Sequence, residues 1–223
     1  MEREIVVLYE DSEILVAQKP QDLVSEDAGV SSLPYYLREY RAERGDVGEI
    51  YPVHRLDKPT GGAILYAKTA EGAARLSAAI AEHRTGKRYL AVTVGVPTTP
   101  EGELRDFLYH DKRQNKVFVV KGGRKGAKEA ILSYKTLGTS ESEYGTLSLL
   151  EITLQTGRTH QIRAQLASRK CPVYGDRRYG APASLTGGKI ALWSHLLSFP
   201  RGKDTVTVTS DPPKEFPWNL FQL

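Results

Sequence analysis

Residues 54–62 read HRLDKPTGG and run directly into the apolar segment AILYA at 63–67. Pro59 biases Lys58 away from helix and the paired glycines permit unusual backbone angles, so the stretch predicts a tight turn followed by a buried strand. Asp57 lies in that turn, between Arg55 and Lys58. Loops anchored to rigid strands often carry catalytic groups, and Asp57 is therefore our candidate catalytic residue. A solvated, turn-forming aspartate is the alternative that this stretch alone leaves open.

A second informative stretch, residues 151–167, reads EITLQTGRTHQIRAQLA. Its first five residues alternate like a half-exposed strand, Thr-Gly then interrupts the pattern, and helical spacing begins at Arg158. His160 and Arg163 are three apart and share one face of this predicted helix, while Arg158 and Gln161 share a neighbouring face. Donors gathered near a helix start favour a phosphate or a carboxylate.

The charge of the chain is compatible with a nucleic-acid partner. The 31 Lys and Arg residues exceed the 27 Asp and Glu residues, which gives a formal charge of +4 and a pI near 9.0. The excess is concentrated in a Gly-containing stretch that holds Lys112, Arg113, Lys116, Lys121, Arg124, Lys125 and Lys128. We interpret this stretch as a loop that grips phosphates, with an ordinary solvated loop as the alternative.

The remaining pattern predicts many strands and few helices. A hairpin is expected from strands near 5–9 and 14–18, with helices at 32–44 and 70–82. Further strands are expected near 88–94, 116–120, 130–137, 146–155, 190–199 and 204–209. Sequential strands with few crossover helices predict an α+β fold on a mixed, mainly antiparallel sheet flanked by helices and loops. No linker divides the 223 residues, so one domain over residues 1–223 is expected.

The two stretches HRLDKPTGG and LQTGRTHQIRAQLA together resemble the RluA family of pseudouridine synthases. Further similar pieces are ILVAQKP at 14–20, KRYLAV at 87–92 and PVYGD at 172–176. The resemblance covers essentially the whole chain and implies the pseudouridine synthase catalytic fold. It also implies a stand-alone catalytic domain, because residues 5–9 already begin the catalytic region, with no small RNA-binding domain before it.

The resemblance implies an isomerase that converts uridines in ribosomal or transfer RNA to pseudouridine. By position in the motifs, Asp57 corresponds to the family's catalytic Asp, Tyr89 to its active-site Tyr, and Arg163 to the ion-pair partner of the Asp. Arg55 is expected to enter the RNA stack or hold its backbone. The other expected RNA contacts are His54, Thr60, Arg158, His160, Gln161, Lys112 and Arg113. For His54, His160 and Gln161, holding the loop is an equally open role.

The chain departs from the family pattern at three places. Gly61 stands where family members usually have Ser, Gln18 where they usually have Asn, and Trp193-Ser194 where they often have His-Ala. The Asp, Tyr and Arg of the pattern are all retained.

No cofactor or metal is expected, because the five His residues lack metal-ligand spacing and the chain has no phosphate-binding or dinucleotide glycine signature. The solitary Cys171 and the lack of a signal peptide or membrane span favour a cytoplasmic protein. A monomer is the expected oligomeric state.

Two other function classes stay open from the sequence. An RNA-binding or chaperone-like protein could share the fold without catalysis. A carboxylate-dependent hydrolase of nucleosides or sugars would need a second carboxylate, for which Asp176 or Asp106 could be proposed, although neither has a supporting motif.

Overall fold

The structure is a computed structural model and describes residues 5–182 and 188–223. Its strands are β1 Val6–Glu10, β2 Ile14–Lys19, β3 Tyr51–Pro52, β4 Gly61–Ala67, β5 Gly86–Val94, β6 Glu101–Asp111, β7 Lys116–Val120, β8 Lys128–Ser140, β9 Leu147–Leu154, β10 Leu192–Arg201 and β11 Asp204–Thr209. The α-helices are α1 Leu33–Ala42, α2 Ala70–Ala81 and α3 Gln161–Ser168. This α+β arrangement confirms the fold class predicted from the sequence.

The chain forms two compact units. The first comprises residues 1–87 and 193–212, and the second comprises residues 88–192 and 213–223. The expectation of one domain over residues 1–223 stays a prediction.

The first unit is a sheet in the order β1-β2-β4-β10, with β3 paired to β4 and β11 paired to β10. Its pairs are antiparallel except that of β4 with β10, which is parallel. Val16, Leu65, Phe199 and the helical residue Leu76 belong to its buried core. The seven residues of β4 are all buried, as the apolar run predicted. This strand gives the preceding turn a rigid anchor.

The second unit is an antiparallel sheet in the order β5-β9-β8-β6-β7. Helix α3 packs on it through Ala164, which clusters with Leu108, Val117 and Ala130. These contacts fix the start of α3 against β6, β7 and β8.

Three elements differ from the sequence expectation, and one of them is the two-residue strand β3, which was not predicted. Strand β6 was not predicted, because its first residues, EGELRD, are charged and poor strand formers. Pairing of these residues with β8 outweighs that propensity, and β7 pairs with the second half of the strand. Helix α3 starts at Gln161 rather than Arg158, because His160 adopts a left-handed conformation with φ of 50°. The residues before it form a turn instead of a helical segment.

Candidate active site

Asp57 lies at the first position of a tight turn, residues 57–60, which we call the Asp57 turn. The amide of Thr60 donates to the carbonyl of Asp57 at 2.9 Å and closes the turn. Gly61 then begins β4. The Asp57 side chain is half-buried.

The side chain of Lys19 donates hydrogen bonds to the backbone of the Asp57 turn and of its own segment. It is fully buried, and its Nζ donates to the carbonyl of Lys58 at 3.1 Å and to those of Leu23 and Pro20 at 2.7 Å and 3.0 Å. The amide of Asp22 also donates to the Lys58 carbonyl, at 2.9 Å. The segment after β2 is thereby fastened to the backbone of the turn.

Two more side chains from the segment after β2 form hydrogen bonds with the backbone at and before the turn. Ser25 Oγ donates to the Leu56 carbonyl at 3.0 Å and accepts from the Leu56 amide at 3.0 Å. Gln21 Nε2 donates to the Pro59 carbonyl at 2.7 Å. The hydroxyl of Tyr66, on β4, donates to the Ser25 carbonyl at 2.9 Å. We call residues 19–25 the clasp, because they bind the backbone on both sides of Asp57.

Burial and the neighbouring carboxylates have opposite effects on the pKa of Lys19. Burial lowers the pKa of Lys19 to about 7, while the negative charges of Asp22 and Asp57 favour the ammonium and the positive charge of Lys58 disfavours it. The ammonium form matches the three carbonyl acceptors around Nζ.

His54 forms a hydrogen bond with the backbone of β4. Its Nε2 accepts a hydrogen bond from the Leu65 amide at 3.0 Å, which ties the residues before Asp57 to β4. Burial holds the pKa of His54 well below its usual value, with the charge of Lys87 as a second cause. A neutral imidazole that accepts through Nε2 supports the loop-holding role left open by the sequence.

Arg55 and Thr60 lie on either side of Asp57 but in different environments. Arg55 is exposed and its guanidinium lies 3.4 Å from the carboxylate of Glu26, with both side chains more than half exposed. Thr60 is buried, and its hydroxyl has no hydrogen-bond partner within the described part of the chain. Arg55 is thus placed for contact with a large ligand, whereas Thr60 is enclosed.

Tyr89 lies on β5, where it is opposite Ile152 of β9, and it is 6% exposed. The alternation of the strand directs Arg88 to the exposed side. Two residues before Tyr89, burial lowers the pKa of Lys87 to about 8.

Arg163 and Asp176 form a buried ion pair. Nε of Arg163 lies 2.6 Å from Oδ2 of Asp176, and Nη2 lies 3.0 Å from Oδ1. The guanidinium also lies 5.0 Å from the centre of the Tyr179 ring. Asp176 occupies the Nε/Nη2 edge and leaves the Nη1 edge to other acceptors. The pairing of Arg163 with Asp57 stays a prediction.

Tyr179 also connects the start of α3 to β7. Its hydroxyl accepts from the Val117 amide at 2.8 Å and lies 2.9 Å from Nδ1 of His160. Its ring stands at 86° to the His160 ring. This contact holds His160 in its left-handed conformation beside the first turn of α3.

Gln161 is fully engaged within the protein. Its Oε1 accepts from the Thr156 hydroxyl at 2.8 Å and from the Arg158 amide at 3.0 Å, and its Nε2 donates to the Ile131 carbonyl at 3.1 Å. Arg158 Nε donates to the Glu129 carbonyl at 2.9 Å. These contacts support a role for Gln161 in holding the loop, whereas Arg158 keeps an exposed side chain.

Lys112 and Arg113 are exposed in the turn between β6 and β7. We call this turn, β7 and the loop to β8 the basic hairpin, residues 112–128. Arg124 stacks on Tyr109, with the guanidinium carbon 3.8 Å from the ring centre. Phe118, 37% exposed, also lies on the hairpin. Cations beside exposed aromatic rings are suited to phosphates and stacked bases.

Both carboxylates considered for a hydrolase have protein partners. Asp176 is 2% exposed and paired with Arg163. Asp106 Oδ2 accepts from Gln165 Nε2 at 2.7 Å and from Arg169 Nη1 at 2.8 Å. Both carboxylates are therefore bound by other side chains of the second unit.

The sequence reasoning missed the clasp and Tyr179. Lys19 offered a signal, because a lysine at the end of the apolar run ILVAQ must find acceptors if it is buried. Ser25 and Tyr179 offered none, since a serine in a loop and a tyrosine near a glycine are ordinary residues.

Neither a metal site nor a membrane segment is evident in residues 5–182 and 188–223. No three His, Cys, Asp or Glu side chains there are grouped so that they could hold a metal ion. None of the helices in this part of the chain is long and apolar enough to cross a membrane.

Comparison with known proteins gives consistent matches. Residues 13–168 match the family described as RNA pseudouridylate synthase. The chain is 32% identical over 223 residues to ribosomal large subunit pseudouridine synthase D of Borreliella burgdorferi, covering 95% of this chain and 66% of that protein. It is 31% identical to an uncharacterized RNA pseudouridine synthase of Bacillus subtilis, covering 82% and 60%. The chain thus spans about three fifths to two thirds of the length of these relatives.

Another relative is nearer in length. The chain is 27% identical to tRNA pseudouridine synthase C of Haemophilus ducreyi, covering 98% of this chain and 94% of that protein. The solved structure of human RNA pseudouridylate synthase domain containing 1 covers 96% of this chain and 85% of its own, with a TM-score of 0.77 at 23% identity, which supports the fold. The family match over residues 13–168 decides the assignment: the chain belongs to the RNA pseudouridylate synthase family.

Proposed function

We propose that this protein isomerises uridine to pseudouridine within ribosomal or transfer RNA, with Asp57 as the catalytic carboxylate. The observation that carries the proposal is the Asp57 turn. In a chain of this family, one carboxylate stands in a turn whose backbone is bound on both sides by the clasp. Such fixation keeps a reacting group at one position, which is what positional catalysis requires.

In the proposed reaction, the bond between the ribose carbon and N1 of the base breaks, the base turns over, and C5 of the base bonds to the same ribose carbon. The C5 proton is then lost to solvent and N1 gains a proton, so that the product is an isomer of the substrate. Asp57 acts either by taking a ribose proton or by attacking the substrate. Either route needs an ionised carboxylate. Arg163, as the proposed ion-pair partner, would favour that form.

We assign the remaining roles by chemistry. Tyr89 would stack on the target base, and its hydroxyl would take part in a later proton transfer. Arg55 is exposed beside the Asp57 turn and would fill the gap left by an extruded base, which offsets an unstacking cost of a few kcal/mol. Lys112 and Arg113 would hold phosphates, and Arg158 would contact the RNA near the start of α3.

The buried and half-buried residues of the site are given indirect roles in this proposal. His54, Thr60, His160 and Gln161 would shape the loops that carry the RNA contacts. We propose that residues 1–223 work as one catalytic domain, as a monomer and in the cytoplasm, without a cofactor.

Tritium release from RNA labelled at C5 of uridine tests the proposal. The RNA should come from cells that lack the protein, so that target uridines are unmodified. Release of tritium without free uracil would support the isomerase. Free uracil or sugar would support the hydrolase alternative, and RNA binding without either product would support a binding protein.

A further inference from the structure

Two glycines at the start of β4 pair with residues of β10, the neighbouring strand of the same sheet. Gly61 is opposite Trp193 and Gly62 is opposite Ser194 in the parallel pairing of the two strands. A Cβ at Gly61 would lie 2.7 Å from Cε3 and 2.9 Å from Cη2 of Trp193, and closer still to Cζ3. The indole ring therefore occupies the space that a side chain at position 61 would need.

The ring of Trp193 is fixed at its other end. Its Nε1 donates to the Ser210 carbonyl at 3.0 Å and lies 3.2 Å from Ser210 Oγ. Ser210 Oγ donates in turn to Oε1 of Gln18 at 2.9 Å. Gln18 is on β2, opposite Ala63 of β4. The contacts therefore run from Gly61 through Trp193, Ser210 and Gln18 and end at Ala63, two residues after Gly61 on β4.

Three positions in this series of contacts, 18, 61 and 193, are also positions at which the chain departs from the RluA pattern. We propose that Gln18, Gly61 and Trp193 form one mutually adapted support, in which Trp193 is a positioning residue for Asp57. The catalytic part of this inference rests on the proposed function. The Trp193 ring packs against Gly61, which directly follows the Asp57 turn. A displaced ring would therefore move the backbone of the turn and, with it, the Asp57 carboxylate.

The physical reason is a matter of volume. A side chain at position 61 can be accommodated only if the ring moves, and the ring is held by Ser210 and Gln18. A smaller side chain at position 193 leaves a cavity beneath Gly61 and removes the donor to Ser210. Each single change is therefore harmful, whereas the two changes together exchange volume between the strands.

The test is a cycle of Gly61→Ser, Trp193→His and the double variant, with Gln18→Asn added to the double variant as a fourth protein. Each single variant is expected to lower kcat by about 10- to 100-fold, because small displacements of reacting groups cost rates of this size. The KM for RNA should be unchanged, since Gly61 and Trp193 are buried and do not themselves offer a surface to RNA. The double variant should recover kcat, and the triple variant should recover it at least as well.

Phe199→Leu is the matched control. Phe199 is fully buried on the same strand, in the core cluster of the first unit. The substitution should lower the denaturation midpoint while kcat stays unchanged. Denaturant unfolding of all variants gives a second readout that does not need the enzymatic activity: the midpoint of the double variant should exceed that expected from adding the two single losses.

The outcomes separate the two proposals. No tritium release by the wild type overturns the proposed function and with it the positioning role, whereas the unfolding cycle still tests the support. If Gly61→Ser does not fold and the double variant does, the support is confirmed. Additive losses in both kcat and midpoint, or single variants with wild-type kcat, would overturn it.

Discussion

The guanidinium of Arg163 and the carboxylate of Asp176 form a two-point ion pair, with Nε–Oδ2 at 2.6 Å and Nη2–Oδ1 at 3.0 Å. Both residues are at least 96% buried. Arg163→Ala would leave the carboxylate buried without this partner, so it should lower the free energy of unfolding by about 3–5 kcal/mol. It should also lower kcat, since the variant lacks the proposed partner of Asp57. Urea denaturation and steady-state kinetics measure the two effects.

Arg169→Ala is the control for this prediction. Its ion pair with Asp106 has the arginine side chain 38% exposed, and pairs of this kind contribute about 0–1 kcal/mol. A similar loss of stability in both variants would contradict a special role for the buried pair.

The clasp predicts a separate effect on catalysis. Ser25→Ala removes the hydroxyl that binds both the amide and the carbonyl of Leu56. Leaving these buried backbone groups without a partner should cost about 1–3 kcal/mol. Because Leu56 precedes Asp57, kcat should fall while the KM for RNA holds. Ser142→Ala, in the exposed turn before β9, should leave kcat unchanged, and an equal kcat loss there would count against the clasp.

His54 predicts a pH dependence of stability. Its pKa in the folded protein lies well below the usual 6.5 because the ring is buried. Below pH 6.5 the unfolded chain binds a proton that the folded protein does not, so the free energy of unfolding should fall as pH decreases, by up to about 1.4 kcal/mol per unit. Above pH 6.5 this contribution is constant.

His54→Gln tests the assignment. A glutamine carbonyl can accept the hydrogen bond of the Leu65 amide and does not titrate. The variant should show a weaker loss of stability between pH 6.5 and pH 5 than the wild type, measured by urea denaturation at each pH. Identical pH profiles would mean that His54 titrates normally.

The basic hairpin predicts a salt-dependent RNA affinity. Replacing Lys112 and Arg113 with Ala should weaken RNA binding, and the slope of log affinity against log salt should fall by about 0.7–0.9 for each phosphate that is no longer neutralised. Lys203→Ala removes an exposed cation from the turn between β10 and β11 and is the charge control. Filter binding at several salt concentrations gives the slopes. Equal slopes for all three proteins would exclude phosphate binding by Lys112 and Arg113.

Much of the fold could be predicted from local pattern. The apolar run before Lys19 forms a buried strand, and the alanine-rich face of α2 has helical spacing, as their sequences predicted. Strand β6 could not be predicted, because its charged first residues are held by pairing with β8, which is not adjacent to them in the sequence. The start of α3 was displaced for a similar reason, since Tyr179 holds His160 from a distant segment.

The candidate site was predictable only where residues act in short motifs. HRLDKPTGG identified Asp57, but its support by Lys19 and Ser25 depends on contacts between segments more than 30 residues apart. The pairing of Arg163 with Asp176 joins two motifs that the sequence treats separately. Contacts of this kind depend on packing, which residue spacing does not describe.

Asp57→Asn provides the most direct test of the central claim. The substitution keeps the size of the side chain and removes its charge, and Asp106→Asn is the matched control at a carboxylate held by Gln165 and Arg169. Both variants should keep the circular dichroism spectrum and RNA affinity of the wild type. In tritium release from C5-labelled RNA, we predict activity for the wild type and Asp106→Asn and none for Asp57→Asn. Wild-type release by Asp57→Asn would contradict the account.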